Sequence, residues 1–352
     1  MLSWVPLHER SDVQEGALKR TPTMNAGLLE YQGLTTMRVI SLGSGSSGNA
    51  LLVEAGARGR TKILVDAGLS SRIIAERLYI AGVHPSQLEA VCVTHEHSDH
   101  IIGLPVLMKR YNIPVFSAPE TLAAIEQSFA SGIWRTDSGT LVAPNFPEAA
   151  MDVENNESSE LASDVLFTQR TPEKPHTSAF PIGSSRLIGD IEVQSFPTSH
   201  DAVSPCGYLL SAGGCRVCIV TDSGEVTPAM LDAMQRADLL ILESNHDRQR
   251  LLRGPYPYHL KQRILGPNGH LSNDQAAEAV LRTWRPDSAR WLWLAHLSRT
   301  NNTPKLALNS MLANLEAAHA NLSQLHISVL PPGIGGIWDS TQLWHSPALW
   351  EM

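Results

Sequence analysis

The feature that most constrains this chain is a cluster of histidines that directly follows a short apolar run. Leu88 to Val93 has the composition of a buried strand, and the next residues are Thr94-His95-Glu96-His97-Ser98-Asp99-His100. Histidines two residues apart can both face one cation, while the Asp99-His100 pair can face a neighbouring cation. The pattern therefore predicts one half of a two-metal site, on a loop at a strand end.

A two-metal site needs more ligands than one loop supplies. Three further strand-like runs are each followed by a residue of ligand type, and these are His200, Asp222 and His296. A lone polar residue at a strand end is more often a turn former or a helix cap. The three residues therefore indicate a metal site only in combination with the histidine cluster. Asp222 has two oxygens to bridge two cations, and Asp66, after another apolar run, is expected to orient a ligand histidine.

Apolar runs alternate with amphipathic stretches from Met37 onward, which indicates an α/β chain. From residue 131 to about 186 the alternation lapses into Asn, Glu, Ser, Pro and Thr, and we predict a flexible insertion there. The first 36 residues are mostly polar and irregular, which predicts a disordered extension or a mis-assigned start. Residues 37–352 are expected to form a single domain around the insertion.

Composition and net charge bear on how the protein attracts a substrate and on its cellular compartment. The net charge of -8 gives no global attraction to nucleic acid, so a phosphate-bearing substrate must be drawn in locally. Four cysteines in 352 residues are too few for a disulfide scaffold, which fits a reducing compartment. With no secretory signal and no apolar run near the ~20 residues of a membrane span, we expect a cytoplasmic protein without a membrane role.

Several motifs together resemble the metallo-β-lactamase superfamily from Met37 over nearly all the remaining chain. The following segments more closely resemble its YycJ/WalJ-like branch: Leu42-Gly43-Ser44-Gly45-Ser46-Ser47-Gly48-Asn49, Glu243-Ser244-Asn245-His246-Asp247, Gly254-Pro255-Tyr256-Pro257, Gly269-His270-Leu271-Ser272-Asn273 and His296-Leu297-Ser298-Arg299-Thr300-Asn301-Asn302. The resemblance implies an α/β fold, an αββα sandwich of two mixed sheets face to face with helices outside. The branch is implied to contain DNA exonucleases, and we therefore expect a nuclease with a place in DNA repair.

The resemblance also implies a ligand set. The first metal site falls on His95, His97, His200 and Asp222, and the second on Asp99, His100, Asp222 and His296. Imidazole with carboxylate suits zinc, manganese or iron, and we expect two divalent ions, zinc first and manganese as the alternative. Asp99 and His270 are the residues to which we assign catalysis.

His270 stands just before a helix start, where it could protonate a leaving group, clamp a phosphate, or simply form the turn. His246 could contact substrate or cap the preceding strand, and Ser272 is better explained as a helix cap than as a nucleophile. The residues that we predict to contact substrate are Ser46, Asn49, His246, Arg248, Ser272 and Asn301.

One stretch of the sequence is basic, although the chain as a whole is acidic. From His246 to Arg263 five cationic residues face one acidic residue, a local charge of +4. It is a candidate phosphate track in which Tyr256 and Tyr258 could stack on bases, although a solvated basic face explains it equally well. The loop Gly43 to Gly48 is followed by a strand-like run, so a dinucleotide cofactor is not supported.

Three hypotheses of function follow. The leading one is phosphodiester hydrolysis of nucleic acid, with DNA favoured, through a bridging hydroxide activated by the metals. The second is hydrolysis of a small ester, thioester or lactam, because a fold does not determine its substrate. The third is a non-catalytic regulatory protein that binds a partner, which the complete ligand set argues against.

Overall fold

The computed structural model describes residues 36–136, 140–143, 177–286 and 288–344, and the predicted N-terminal extension lies outside these residues except for Thr36. Their strands are β1 Met37–Gly43, β2 Ala50–Ala55, β3 Thr61–Val65, β4 Ala90–Cys92, β5 Val115–Ser117, β6 Trp134–Arg135, β7 Leu141–Val142, β8 Thr177–Ala179, β9 Ser185–Ile188, β10 Ile191–Pro197, β11 Cys206–Ala212, β12 Cys215–Val220, β13 Leu239–Glu243, β14 Arg290–Ala295, β15 Leu325–Val329 and β16 Gly335–Asp339. Their α-helices are α1 Ser71–Ile80, α2 Ser98–Ile101, α3 Leu104–Tyr111, α4 Pro119–Ser131, α5 Pro228–Arg236, α6 Arg248–Arg253, α7 Tyr258–Leu265, α8 Asn273–Arg282 and α9 Pro304–Ala317.

Two seven-stranded mixed sheets form the centre of the fold. The first has the order β16-β1-β2-β3-β4-β5-β8 and the second the order β15-β14-β13-β12-β11-β10-β9. In the first sheet β3, β4, β5 and β8 run parallel, and in the second β12 to β15 do. The strands that precede the predicted ligands are therefore mostly members of parallel sets, whose carboxyl ends meet at one edge of each sheet.

The burial pattern of the strands shows how the layers are stacked. Every residue of β2 is buried, and alternate side chains belong to different apolar clusters, with Leu51 and Val53 in one and Leu52 in another. The cluster of Leu51 also contains Ile241 of β13, so it lies between the sheets. The other clusters join the outer faces to helices, and the fold is the predicted αββα sandwich.

The range predicted as a flexible insertion is ordered at its edges. The short β6–β7 hairpin begins it, and β8 and β9 close it as edge strands of the two sheets. Strands of two to four residues are too short for a period to be recognised in the sequence. Residues 137–139 and 144–176 lie outside the described residues, and there flexibility stays a prediction.

Two helices occupy the stretch predicted as a basic track. Asp247 caps α6 by accepting a hydrogen bond from the backbone N–H of Arg250, and Gly254 ends the helix before the next proline. None of the helices that the structure describes is both long enough and apolar enough to cross a membrane.

Candidate metal centre

The histidine motif spans the end of β4 and the short helix α2. His95 and His97 precede the helix, whereas Asp99 and His100 lie within it. The ligand atoms of His95, His97 and His200 lie within 4.8 Å of one another, and all three side chains are buried. Three imidazoles in this arrangement can hold one divalent cation.

A second group of ligand atoms lies beside the first. Asp99, His100 and His296 each place one ligand atom within 4.8 Å of the others. Asp222 lies between the groups, because one of its oxygens is 3.1 Å from Nε2 of His100 and the other is 3.9 Å from Nε2 of His200. The structure thus brings together all seven residues predicted as metal ligands.

Hydrogen bonds to Nδ1 orient the ligand histidines. Oδ2 of Asp66 lies 2.8 Å from Nδ1 of His100, and Oδ1 accepts a hydrogen bond from the backbone N–H of Thr94 over 2.8 Å. Nδ1 of His200 lies 3.0 Å from the carbonyl oxygen of Gly269. An N–H donated from Nδ1 leaves the lone pair of Nε2 for a cation, so these contacts select the tautomer that a metal ligand needs.

Glu243 connects a ligand histidine to His270, and the sequence analysis gave this carboxylate no role. Its Oε1 atom lies 2.9 Å from Nδ1 of His296 and 2.7 Å from Nδ1 of His270. Its Oε2 atom accepts hydrogen bonds from the backbone N–H groups of Ser223 and Leu271. The available signal was a carboxylate at the end of an apolar run that is typical of a buried strand, since such a group is rarely buried without partners.

Two residues of the centre have a left-handed backbone. The φ angles are 62° at Asp66 and 52° at His296. Residues other than glycine seldom adopt this region of backbone conformation. The hydroxyl of Ser44 accepts a hydrogen bond from the backbone N–H of His296 over 2.9 Å. Backbone conformations of this kind persist only where the surroundings enforce them, as they do at functional sites.

The charges of the centre favour a cation. Burial and the neighbouring imidazoles hold the pKa of His95 well below its usual range, so this ring is neutral. Burial also disfavours charge on His100 and His296. The carboxylates around them, foremost Asp66 for His100 and Asp222 for His296, outweigh burial and raise both pKa values well above the usual range. The carboxylates that raise these two pKa values also provide the negative charge that a divalent cation needs nearby.

The donor set fits divalent metal ions. Nε2 of His95 is buried and has no hydrogen-bond partner among the residues that the structure describes. A buried polar atom left in this state costs about 1–3 kcal/mol, a penalty that a bound cation would remove. Five imidazoles and two carboxylates are a donor set that suits zinc and manganese.

Three of the six predicted substrate contacts lie away from α6. Asn49 is buried at the centre, where Nδ2 lies 3.2 Å from Nε2 of His100, and Ser46 is half-buried on the neighbouring loop. Ser272 caps α8, since its hydroxyl accepts a hydrogen bond from the backbone N–H of Gln275. That bond accounts for Ser272 without a substrate.

The other three lie around the start of α6. Arg248 is its exposed first residue, and Asn301 is buried and accepts a hydrogen bond at its carbonyl oxygen from the N–H of Asp247. His246 is fully buried, and neither ring nitrogen has a hydrogen-bond partner within the described part of the chain. Burial, with His270 nearby, lowers the pKa of His246 to about 4, so the ring is neutral.

Comparison with known proteins agrees with this geometry. Residues 43–232 match the family model of the metallo-β-lactamase superfamily. The chain is 34% identical over 277 residues to the protein named exodeoxyribonuclease WalJ of Streptococcus pneumoniae serotype 2, strain D39, a match that covers 79% of this chain and 87% of that one. It is 34% identical over 275 residues to exodeoxyribonuclease YycJ of Bacillus anthracis, covering 78% and 88% of the two chains.

Solved structures share the fold. The metallo-β-lactamase fold protein YhfI of Bacillus subtilis superposes with a TM-score of 0.57, covering 87% of this chain and 99% of that one. The two sequences are 17% identical, so this likeness concerns the fold alone.

Proposed function

Because the chain belongs to the metallo-β-lactamase superfamily, together with the WalJ and YycJ proteins, we propose that it is a metal-dependent DNA exonuclease. The observation that carries the proposal is the position of Asp222 between two groups of ligand atoms. One carboxylate shared by two groups is the arrangement that two adjacent cations need.

The proposal assigns each ligand to an ion. One divalent ion would be held by His95, His97, His200 and Asp222, and the other by Asp99, His100, His296 and Asp222. When bound, the ions supply an activated water as nucleophile and stabilise the negative charge that develops on the phosphate. Zinc is the metal that we propose first, because imidazoles dominate the donor set, with manganese as the alternative.

We assign His270 as the proton donor to the leaving oxygen. Its ring lies between two ligand rings, with its centroid 4.9 Å from that of His200 and 5.5 Å from that of His296. Since Glu243 binds Nδ1, the nitrogen left for proton transfer is Nε2. A sugar alkoxide is a poor leaving group, so its departure is faster when a positioned acid protonates it.

Asp99 acts on the reaction as a ligand. Its Oδ2 atom lies 3.5 Å from Nε2 of both His100 and His296, which places the carboxylate among the donors of the second ion.

The proposed substrate and setting rest on the relatives and on the cysteines. Both relatives are named exodeoxyribonucleases, so we propose DNA rather than RNA, and DNA repair as the process. All four cysteines are buried and unpaired, which supports a reducing compartment such as the cytoplasm.

The test is hydrolysis by the metal-loaded protein of DNA labelled at either end. We expect mononucleotides or short products released from one end, and no cleavage after chelation. RNA of the same sequence and a thioester serve as competitors. Thioester cleavage with inert DNA would support the small-ester hypothesis and overturn the proposal, and inert DNA with every metal tried would also reject it.

A further inference from the structure

The stretch between the end of β13 and His270 is hydrogen-bonded to two loops that carry proposed metal ligands. We call residues 248–265, which comprise α6, α7 and the turn between them, the basic segment. Nε of Arg250 donates a hydrogen bond to the carbonyl oxygen of Thr300, four residues after the ligand His296. Nε of Arg263 donates one to Asp201, which follows the ligand His200. The basic segment is thus fixed at both ends to loops that carry metal ligands.

The five cations of the basic segment are of two kinds. Arg250 and Arg263 hold the loops just described, and Nζ of Lys261 donates a hydrogen bond to the carbonyl oxygen of Leu252. Arg248 and Arg253 are exposed, and neither forms an ion pair or a side-chain hydrogen bond within the described residues. The basic segment contains no acidic residue, so these two charges face solvent uncompensated.

The basic segment also exposes an aromatic ring. Tyr258, the first residue of α7, is 77% exposed, whereas Tyr256 is half-buried. Leu252, four residues after Arg248 and hence on the same side of α6, is 42% exposed. An acidic chain that exposes cations, an apolar side chain and a tyrosine on a segment fixed to the loops of its metal centre offers the elements of a single-strand binding surface.

We infer that Arg248, Arg253 and Tyr258 bind the single-stranded end of the DNA substrate. The guanidinium groups contact phosphates, and the tyrosine ring stacks on a base. Bases inside a duplex are already stacked on both neighbours, so an unpaired base, whose face is free, is the form that the ring of Tyr258 binds best. The inference rests on the proposed function and refines it, since it makes a single strand the form of DNA that enters the centre.

The first test is binding of a fluorescent, nuclease-resistant phosphorothioate oligothymidylate to the metal-loaded full chain. We expect Tyr258→Ala to weaken binding by about tenfold and Tyr258→Trp to retain it, because the loss is that of base stacking. The matched control is Tyr79→Ala, which removes a tyrosine that is 55% exposed on α1. Equal affinity of Tyr258→Ala and the unmodified chain, or tighter binding of blunt duplex than of single strand, would overturn the inference.

The charges are tested by salt dependence. Removing two phosphate contacts should reduce the slope of log affinity against log salt for single-stranded DNA by about 1.4. We therefore expect this change in the double variant Arg248→Gln/Arg253→Gln, and none in Lys109→Gln, which alters an exposed cation on α3. An unchanged slope in the double variant would contradict the assigned phosphate contacts.

Hydrolysis separates this inference from the proposed function. Tyr258→Ala should slow cleavage of single-stranded DNA far more than hydrolysis of bis(p-nitrophenyl) phosphate, because that small ester has no base to stack on the ring. Should no phosphodiester be cleaved while binding still depends on Tyr258, the proposed function fails and the binding surface stands. Should DNA be cleaved at equal rates with and without Tyr258, the surface fails and the nuclease stands.

Discussion

The metal centre and the basic segment are held in different ways. In the centre, buried side chains are fixed by other side chains, as Asp66 fixes His100 and Glu243 fixes His296. In the basic segment, Arg248 and Tyr258 face solvent. The difference separates two tasks: loss of a metal ligand should affect every phosphodiester, whereas a change in the exposed residues should affect only substrates long enough to reach them.

The largest effect is expected from the carboxylate that the two ligand groups share. Asp222→Ala should reduce hydrolysis of DNA and of bis(p-nitrophenyl) phosphate alike to background, because both ions lose a ligand. Metal analysis of the purified protein should show fewer than two ions per chain. The control Asp232→Ala changes an exposed aspartate on α5 and should keep full activity. A DNA-specific loss in Asp222→Ala would break the separation of tasks.

His270→Gln should give the next largest effect. We expect DNA cleavage to slow by about 10²-fold or more, because the leaving alkoxide loses its proton donor. Hydrolysis of bis(p-nitrophenyl) phosphate should slow far less, since nitrophenolate leaves without a proton. The ratio of the two kcat values is the measurement. Equal losses on both substrates would assign His270 to the metals instead of to the leaving group.

The pH dependence of the unfolding free energy tests the environment of His246, which lies two residues before the basic segment in the sequence. His246 has a pKa lowered to about 4 by burial and by His270, whereas an unfolded histidine ionises near 6.5. The unfolded chain therefore binds the proton first. The stability from a neutral His246 is complete above pH 6.5 and is lost as pH falls towards 4, by roughly 3 kcal/mol at most.

His246→Gln removes this proton-linked loss. Urea unfolding of the metal-free proteins at pH 7 and pH 4.5 measures it, and the unmodified chain should lose more unfolding free energy between the two pH values than the variant. Equal losses would mean that His246 is accessible to protons in the folded state.

A smaller effect is expected from the carboxylate that orients His100. Asp66→Asn keeps the size of the side chain but weakens the hydrogen bond to Nδ1, and we expect metal affinity to fall by about 10- to 100-fold. Titration of the metal-free variant with zinc in a competing chelator measures the change. At saturating metal the activity should return. A permanent loss of activity at saturating metal would instead show that Asp66 takes part in the reaction.

The part of the site that the sequence predicted is the part that local patterns encode. His95 to His100 are contiguous, and His200, Asp222 and His296 each follow an apolar run that the structure confirms as a strand. Glu243 also follows such a run, yet its role could not be predicted. That role depends on contacts with His270 and His296, which lie 27 and 53 residues further along the chain.

The same limit applies to the fold. The strand β16 pairs with β1 from the other end of the described chain, a partner that no local period reveals. The helices α6 and α7 are short, and the prolines and glycine between them interrupt the helical period. The positive charge of this stretch could therefore be predicted from the sequence, whereas its two helices could not. Strands of the core were predicted well because they are apolar on both faces.

Anomalous diffraction from crystals grown with zinc or manganese tests the central claim most directly. The account predicts two ions with Asp222 between them, one bound by His95, His97 and His200 and the other by Asp99, His100 and His296. The ligand atoms of Glu243 and His270 also lie within 4.8 Å of those of Asp222 and His296. A single ion, or an ion bound by Glu243 and His270, would contradict the account.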